Sequence, residues 1–517
     1  MKRSIMIWVI SAIVYLGVVI ASYSVYANIN SKADEHTNHA ANDQEEENMN
    51  HQNGHSMNME GMDHSSMAMS HESATELKSS LGKNQLIFPK VLKPDYEDNN
   101  SISYTIRAQQ GTSEIFDGTK TKTYGYNGDF LGPVIWVEKG MNVTIHLVND
   151  LNEDTTFHWH GLEVPGNEDG GPHKVLKPGE SETINFTIKQ DAATLWFHPH
   201  PMHKTGKQVF KGLAGMLYIE DKNSEKLDIP KTYGEDDFPI ILQDKTFTKD
   251  KQLDYEQVMN EDGTTGDTLL INGVVDPKLI VERKKVRLRM LNGSNMRSYT
   301  LHFDNDMEFH QVASDGGFLN KPTTTKEIEI APSERAEVIV DLTKVKGNVI
   351  TLVNEDNKKI LPIHLKESQD HSQTTKKAKT LNDLTLSNEI KNKKVTKTIK
   401  LAGMGKDVTI NDKKFNPNRI DFTQKQNNTE VWEVENVKDS MGGMTHPFHI
   451  HGTQFQVISI DGKEPPKNLS GLKDTISLKP GQKAKIAVKF TEKGVYMFHC
   501  HILEHEDNGM MGQIKVD

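Results

Sequence analysis

The feature that most constrains the fold is a pattern of short runs in which apolar and polar residues alternate. Such runs follow one another beyond residue 80, with Gly, Pro, Asn and Asp between them, as at 143–147, 183–188, 286–290 and 484–490. Successive side chains of a β-strand point to opposite faces, so alternation predicts strands with one buried face. Many short strands with frequent turns predict an all-β chain of sandwiches or barrels.

Two polar stretches interrupt this β pattern. They lie around 221–237 and 366–397, where Lys, Asn, Ser, Thr, Asp and Glu are abundant. The chain has 517 residues, which is too long for one ordinary domain. We therefore predict three β domains, at 81–222, 236–368 and 395–517, preceded by two segments, 1–31 and 32–80.

Residues 1–31 indicate the compartment. Lys2 and Arg3 precede an uncharged apolar run, and Val25-Tyr26-Ala27 resembles a signal-peptide cleavage site. The run from residue 4 to residue 31 is also just long enough to anchor the chain in a membrane. We expect an exported, extracytoplasmic protein, in the periplasm, at the cell surface or secreted, and cleavage and anchoring both stay open.

Segment 32–80 carries most of the net charge. The chain has 61 Lys and Arg against 72 Asp and Glu, a net charge of −11, and ten of the acidic residues lie between Lys32 and Lys78, where no basic residue occurs. This balance argues against a nucleic-acid partner. The segment has almost no branched or aromatic apolar residues, which predicts disorder. Its window 51–71 holds four His and five Met, and thioethers and imidazoles bind copper, so we interpret it as a metal-collecting tail.

Four His-X-His pairs carry the main chemical signal. In a strand, residues i and i+2 share a face, so each pair presents two imidazoles to one site. Eight imidazoles exceed the needs of one ion and predict a cluster of several metals where the first and last domains meet. The middle domain has only scattered histidines and is interpreted as a spacer. The pairs are His158-Trp159-His160, His198-Pro199-His200, His449-Ile450-His451 and His499-Cys500-His501.

Cys500 is the only cysteine of the chain, which excludes an internal disulfide. If its two His neighbours face the cluster, its thiol points to the opposite side of the strand and is free to bind another metal. His446, His505 and Met510 are available to complete that site. A trigonal His₂Cys site with a weak axial Met describes a blue-copper centre. The backbone from Cys500 to each neighbouring His would then be a short electron path.

These motifs resemble the copper-binding signatures of multicopper oxidases. The matching segments are HWHG at His158, HPH at His198, HPFHIHG at His446 and HCHILEHEDNGM at His499, and the similarity covers roughly residues 85–517. The resemblance implies three consecutive cupredoxin-like Greek-key domains. The context of the motifs is most similar to the three-domain bacterial copper-tolerance oxidases, which oxidise Cu(I), and to laccase-like members.

The resemblance also implies four copper ions per chain and a role for each ligand. His446, Cys500, His505 and Met510 would hold one type 1 copper, and His158 and His449 one type 2 copper. Four single-electron oxidations would then feed the reduction of O₂ to two waters, so the implied partners are O₂ and a one-electron donor such as Cu(I). The ligands of the two type 3 coppers would be His160, His198, His200, His451, His499 and His501.

Two carboxylates match acidic positions that the family uses to deliver protons. Asp169 follows the first His pair in GNEDGG, and Glu506 directly follows His505. Asp-Gly-Gly is also an ordinary turn signal, and Glu506 would also suit a solvated loop. Through the resemblance, we expect Asp169 and Glu506 to supply protons during O₂ reduction.

One departure concerns the substrate. Copper-tolerance oxidases typically carry a Met-rich insertion, and the corresponding region 366–418 has only Met404. Asp439, Met441 and Met444, just before His446, offer thioethers and a carboxylate for docking Cu(I). The alternative is a Gly-rich loop with incidental methionines. We hypothesise that the His/Met tail replaces the missing insertion as the copper collector.

Four functions compete at this level. The leading hypothesis is a Cu(I) oxidase that detoxifies copper, and a laccase-like oxidase of phenols or other organic reductants is its close rival. A copper-sequestering protein and a non-catalytic cupredoxin scaffold belong to other classes. Neither the sequestering protein nor the scaffold needs a complete set of twelve ligands in which one thiolate is covalently connected to the site of eight imidazoles.

Overall fold

The structure is a computed structural model that describes residues 75–367, 380–438 and 442–517. The apolar segment 4–31, the His/Met window 51–71 and the proposed docking residues Asp439 and Met441 lie outside the described residues. The described chain is mostly β and forms three cupredoxin-like domains, which confirms the predicted fold class.

The first ten strands run from residue 84 to residue 220. They form a five-stranded sheet, in which β2, β3, β6 and β8 are neighbours and β4 pairs with β3, and a four-stranded sheet of order β5-β10-β9-β7. β1 instead joins the middle domain. The strands are β1 (Asn84–Gln85), β2 (Tyr96–Glu97), β3 (Ser101–Phe116), β4 (Thr119–Tyr126), β5 (Val134–Glu138), β6 (Asn142–Asp150), β7 (His158–His160), β8 (Ser181–Thr187), β9 (Ala193–His198) and β10 (Gly215–Glu220).

The middle domain holds the next twelve strands. Its two sheets have the orders β1-β14-β22-β21-β16-β19 and β13-β12-β11-β15-β20-β17-β18. The strands are β11 (Asp237–Lys245), β12 (Thr268–Ile271), β13 (Val274–Val275), β14 (Pro277–Glu282), β15 (Lys285–Asn292), β16 (Tyr299–Phe303), β17 (Phe309–Ser314), β18 (Gly317–Thr325), β19 (Glu327–Ile330), β20 (Arg335–Asp341), β21 (Val349–Asn354) and β22 (Lys359–Lys366).

The last domain holds the final eleven strands. Its sheets have the orders β24-β23-β26-β31-β28-β29 and β25-β33-β32-β27-β30. The strands are β23 (Val395–Ala402), β24 (Thr409–Ile410), β25 (Phe422–Gln424), β26 (Glu430–Asn436), β27 (His446–Ile450), β28 (Phe455–Ile460), β29 (Leu472–Lys473), β30 (Thr475–Leu478), β31 (Lys483–Val488), β32 (Gly494–Cys500) and β33 (Met511–Val516).

Alternation along the strands explains how each domain acquires its core. In β6, Val143, Ile145 and Leu147 are buried, and the residues between them are half-buried or exposed. The buried side chains of the two facing sheets then pack into one apolar cluster per domain. Burial of this area is the main favourable contribution to folding.

The residues that the structure describes contain few helices, and these are short. No helix among the described residues has the length and apolar character to span a bilayer. The last helix matters most for function because it directly follows the fourth His-X-His pair. The helices are α1 (Thr205–Lys211), α2 (Tyr255–Val258), α3 (Asn388–Lys391) and α4 (Leu503–Asp507), with 3₁₀ turns at Ser224–Lys226, Leu342–Lys344, Gly405–Asp407 and Lys467–Leu469.

The chain before β2 packs differently from its predicted assignment. Leu77, which falls within the predicted tail, is buried in the core of the middle domain. The Lys78 amide donates to the Asp267 carbonyl over 2.8 Å, and β1 pairs in parallel with β14. Residues 75–88 therefore lie along the middle domain and not within the first. The sequence could not predict this placement, because a strand of two residues leaves no pattern by which its partner strand could be recognised.

Candidate metal centre

Strand pairing brings the histidine pairs side by side. β7 and β9 are antiparallel neighbours, and their register sets His158 opposite His198. β27 and β32 are paired in the same way, and His449 lies opposite His499. The second histidine of three of the pairs follows directly or closely after a strand end, so all eight side chains lie where the first and last domains meet.

The eight imidazoles form one buried cluster. The Nε2 atom of His499 lies 3.0 Å from Nε2 of His451 and 3.2 Å from Nε2 of His200. Rings of the first and last domains stack in two equivalent pairs, His158 on His451 and His160 on His449, each with centroids 3.7 Å apart. Ligand atoms lie within 4.8 Å of one another in the sets His158/His160/His198, His158/His449/His451 and His200/His451/His499.

Several inward nitrogens have no hydrogen-bond partner. This holds for Nε2 of His158, Nε2 of His449 and both ring nitrogens of His501, all of which are buried. A buried polar atom without a partner costs about 1–3 kcal/mol. Metal coordination would satisfy these nitrogens, so the donor set fits copper ions.

The opposite nitrogen of most cluster histidines is held by an acceptor. Such outer contacts fix the ring orientation and the tautomer, and they are a regular feature of metal sites. For four histidines the acceptor is a backbone carbonyl: Nδ1 of His158 donates to Asp169 (3.0 Å), of His198 to Pro199 (2.9 Å), of His449 to Asp474 (2.8 Å) and of His499 to Cys500 (3.0 Å).

Burial favours the neutral form of seven of the eight cluster histidines. It is the largest cause of a pKa lowered to about 3 for His499. Neighbouring imidazoles lower these pKa values further, because each would repel a second positive charge. Neutral imidazole is the form that binds metals. Burial lowers the pKa well below its usual value for His160, His198, His200, His449, His451 and His501.

Both predicted proton donors lie at the cluster. Asp169 is buried, and its Oδ2 atom accepts from Nδ1 of His451 over 2.7 Å. Glu506 lies on the side of His200, with Oε1 3.1 Å from Nδ1 of that ring. Burial, with a smaller contribution from Asp507, raises the pKa of Glu506 well above its usual value. Burial therefore favours the protonated form of the Glu506 carboxyl over the ionised form.

A second site lies behind the cluster. The Cys500 thiol points away from its histidine neighbours, and its Sγ atom is 3.7 Å from Nδ1 of His505. The rings of His446 and His505 have centroids 5.3 Å apart, and Met510 is fully buried in the same apolar core. Burial raises the pKa of the Cys500 thiol, because apolar surroundings disfavour the charged thiolate.

The proposed docking residues can be placed only in part. Met444 is buried, with 4% of its surface exposed, in the apolar core that contains Cys500 and Met510. Its backbone carbonyl accepts from Nδ2 of Asn436 over 2.8 Å, and Oδ1 of Asn436 lies 3.2 Å from Nδ1 of His446. Met444 is thus placed next to the second site but is covered from solvent.

Two functional residues have no signal in the sequence. Asp474, between β29 and β30, accepts from Nε2 of His160 over 3.0 Å through its carboxylate. Its backbone carbonyl holds His449, so one residue orients an imidazole of the first domain and another of the last. Arg335, the first residue of β20, pairs with that carboxylate. The two are 139 positions apart, and no motif or spacing marks either of them.

Arg335 shows that the middle domain takes part in the site. Its Nε donates to the carbonyl of Thr194, in the first domain, over 3.1 Å. Its other four N–H groups donate to the Asp474 carboxylate and to the carbonyls of Ser333 and Asp315. All five donors are thus used, and three domains meet at one side chain. The interpretation of the middle domain as a spacer needs this correction.

Comparisons with known proteins agree with this geometry. Sequence profiles described as multicopper oxidase match residues 107–224, 236–369 and 375–517. The multicopper oxidase mco of Staphylococcus haemolyticus is 54% identical over 460 residues, which are 89% of this chain and 97% of that protein.

Solved structures of similar proteins cover most of the chain. The structure of a laccase from Pediococcus acidilactici has a TM-score of 0.80 and 41% identity, covering 86% of this chain and 95% of that one. A multicopper oxidase from Campylobacter jejuni, described as a metallo-oxidase, has a TM-score of 0.72 and 29% identity, covering 87% and 99%.

Proposed function

Because the chain belongs to the multicopper oxidase family, whose members use copper, O₂ and a reductant, we propose that it is an exported oxidase of Cu(I). In this proposal, four Cu(I) ions each give up one electron, and O₂ takes up four electrons and four protons to become two waters. Detoxification of copper outside the cytoplasm would be the physiological outcome.

The observation that carries the proposal is the position of Cys500. Its side chain faces His505 in one site, and its two neighbours place their imidazoles in the other. We assign His446, Cys500, His505 and Met510 to one type 1 copper and His158 and His449 to one type 2 copper. The six other histidines of the cluster are assigned to two type 3 coppers. When bound, copper supplies one-electron acceptance at the first site and the reduction of O₂ at the second.

The carboxylates determine where protons reach the cluster. Glu506 is buried beside His200, and its raised pKa leaves its carboxyl able to give a proton toward that side. Asp169 is placed on the side of His451 and His158. We propose that both residues deliver protons while O₂ is reduced, and that a general acid at this position accelerates the step.

Sequence features support Cu(I) as the donor. The His/Met window 51–71 has ligands suited to Cu(I), and the N-terminal segment has the composition of an export signal. The Campylobacter relative is described as a metallo-oxidase. A laccase-like oxidation of phenols is the second candidate, because the more similar Pediococcus protein is described as a laccase.

Oxygen uptake decides between these functions. The copper-loaded full chain is given Cu(I) or a phenol, and the thiolate-to-copper absorption band is recorded in the same sample. We expect the band together with faster O₂ uptake on Cu(I). A higher kcat/KM for the phenol would favour the laccase, and a copper-loaded chain without colour or O₂ uptake would favour sequestration.

Fractionation of the producing cell tests the proposed export, and recovery of the protein in the cytoplasm would contradict it.

A further inference from the structure

Helix α4 lies between the two proposed copper sites and carries residues of both. It spans Leu503–Asp507 and contains His505, assigned to the type 1 copper, and Glu506, placed beside the cluster. A five-residue helix has only one turn of backbone hydrogen bonds, so its position depends on the contacts of its side chains. The remaining carboxylate of its first turn is Glu504.

Glu504 is buried, with 2% of its surface exposed, and it faces the middle domain. Its Oε1 atom accepts from the Tyr255 hydroxyl over 3.1 Å and from Nδ2 of Asn295 over 2.8 Å. Its Oε2 atom accepts from the backbone amide of Thr264 over 3.0 Å. Both carboxyl oxygens of Glu504 therefore accept hydrogen bonds from donors of the middle domain.

The same residues also hold the backbone of the helix. The carbonyl of Asn295 accepts from the amide of Leu503 over 3.1 Å, while its side-chain amide bridges Glu504 and the carbonyl of Gly206. At the other end of the helix, the Asp507 carboxylate accepts from the amide of Gly206 over 2.9 Å. Helix α4 is therefore fixed to the middle domain by Glu504 and to the first domain by Asp507.

The space around this contact is tight. A Cβ atom at Gly206 would lie 2.6 Å from the Tyr255 hydroxyl and 3.0 Å from Oε1 of Glu504. The buried Nζ atom of Lys245 lies over the ring of Phe210, in helix α1, and donates to the Val209 carbonyl over 3.3 Å. Such a densely packed polar network tolerates little displacement, because each buried donor and acceptor would lose its partner.

We propose that Glu504 is a positioning residue through which the middle domain sets the placement of the type 1 ligand His505. The inference rests on the proposed type 1 role of His505 and goes beyond it, because it assigns a specific part of the type 1 site to residues of another domain. Outer contacts of this kind tune the affinity and the electronic properties of a metal site.

Three substitutions disturb the contact in different ways. Glu504→Gln places an amide donor against the three donors. Tyr255→Phe removes one donor and keeps the ring, and Gly206→Ala adds a methyl group and removes no hydrogen bond.

Glu256→Gln is the matched control for charge, because Glu256 neighbours Tyr255 and has 70% of its side chain exposed. Tyr104→Phe is the control for loss of a hydroxyl bond, here 2.7 Å to the carbonyl of Trp136.

The experiment measures the type 1 copper directly in the full-length, copper-loaded chain. The readouts are the charge-transfer band, the electron paramagnetic resonance hyperfine coupling, the reduction potential and the copper affinity. We expect all three variants to shift the band and the potential, and Glu504→Gln to weaken type 1 copper binding about 10- to 100-fold. The two controls should match the wild type.

Wild-type band, coupling and potential in Tyr255→Phe and Gly206→Ala would overturn the inference, even if Glu504→Gln fails to fold. Shifts in the controls as large as those in the variants would also overturn it. A wild-type chain without the charge-transfer band would overturn the proposed type 1 centre and, with it, this inference. The two failures are therefore distinguishable.

Discussion

At the scale of single residues, Cys500 connects two sites because its backbone and its side chain have different neighbours. Its thiol lies beside His505, while His499 and His501 belong to the cluster on the other face of the strand. In the proposed function, an electron that enters at the Cys500 thiolate would cross only one residue of backbone to reach a cluster ligand. Its chemistry depends on the thiolate, which a hydroxyl cannot replace.

Cys500→Ser should abolish colour and turnover together. Serine is close to cysteine in size, so the apolar core around position 500 should remain packed. The eight histidines of the cluster should still bind copper. Absorption, copper content and O₂ uptake on Cu(I) and on a phenol are measured in one preparation. Turnover that persists without the charge-transfer band would contradict the proposed electron path.

Glu506→Gln should slow the reduction of O₂ without slowing the entry of electrons. A buried carboxyl with a raised pKa is protonated, and it loses its proton as the pH rises through that pKa. The wild-type rate should therefore fall with rising pH, and the amide should lower it about 100-fold at the optimum. The check is stopped-flow reoxidation of the reduced enzyme by O₂ across a pH series. A Gln variant with the wild-type rate and pH profile would exclude the role, and Glu256→Gln serves as the control.

At the scale of strands and loops, the cluster depends on a junction of three domains. β20 supplies Arg335, the loop before β30 supplies Asp474, and β9 supplies the Thr194 carbonyl. Asp474 in turn holds His160 and His449. A buried ion pair adds little stability by itself, but removal of one partner leaves an unpaired charge. The junction should therefore be sensitive to single substitutions.

Asp474→Asn should destabilise the fold and reduce copper in the cluster. An amide cannot accept from both Arg335 and His160 without presenting a donor to one of them, and the expected loss is about 3 kcal/mol. Unfolding in denaturant and the copper content are the measurements. Asp150→Asn is the matched control: Asp150 pairs with Arg107 over 3.0 Å with 43% of its side chain exposed, and we expect a loss below about 1 kcal/mol. Equal losses in both variants would contradict the special role of the junction.

Local patterns predicted individual strands, whereas the junction of three domains could be recognised only from the fold. Alternation at 143–147 predicted β6, because that signal lies within one strand. The His-X-His spacing predicted one cluster of imidazoles, although only the pair His158/His160 lies wholly within a strand. Arg335 and Asp474 are single polar residues, and their role in the junction depends on a contact between residues of different domains. Likewise, β1 has only two residues, so its pairing with β14 is decided by the packing of Leu77 and Leu86 on the middle core.

At the scale of the whole molecule, negative charge is concentrated near one end of the chain, together with a group of His and Met side chains. Ten of the eleven net negative charges fall between Lys32 and Lys78, in the segment that also has nine His and Met residues within window 51–71. The enzyme body is nearly neutral and does not attract cations by its overall charge. A tethered collector raises the local concentration of its ligand near the body, and the gain depends on tether length. This favours a role in supplying Cu(I).

Deletion of residues 32–71 should raise the KM for Cu(I) about tenfold and leave kcat unchanged, because the tail affects capture and not the electron path. The deletion ends before Leu77, whose burial in the middle core makes a cut at residue 80 destabilising. A matched variant keeps the length and acidic residues of the tail but replaces the His and Met of window 51–71 with Ser. It should behave like the deletion, and the KM for a phenol should stay the same in both. An unchanged KM for Cu(I) in fully copper-loaded protein would exclude the collector. A raised KM in the deletion alone would assign the effect to the length or the charge of the tail and not to its His and Met side chains.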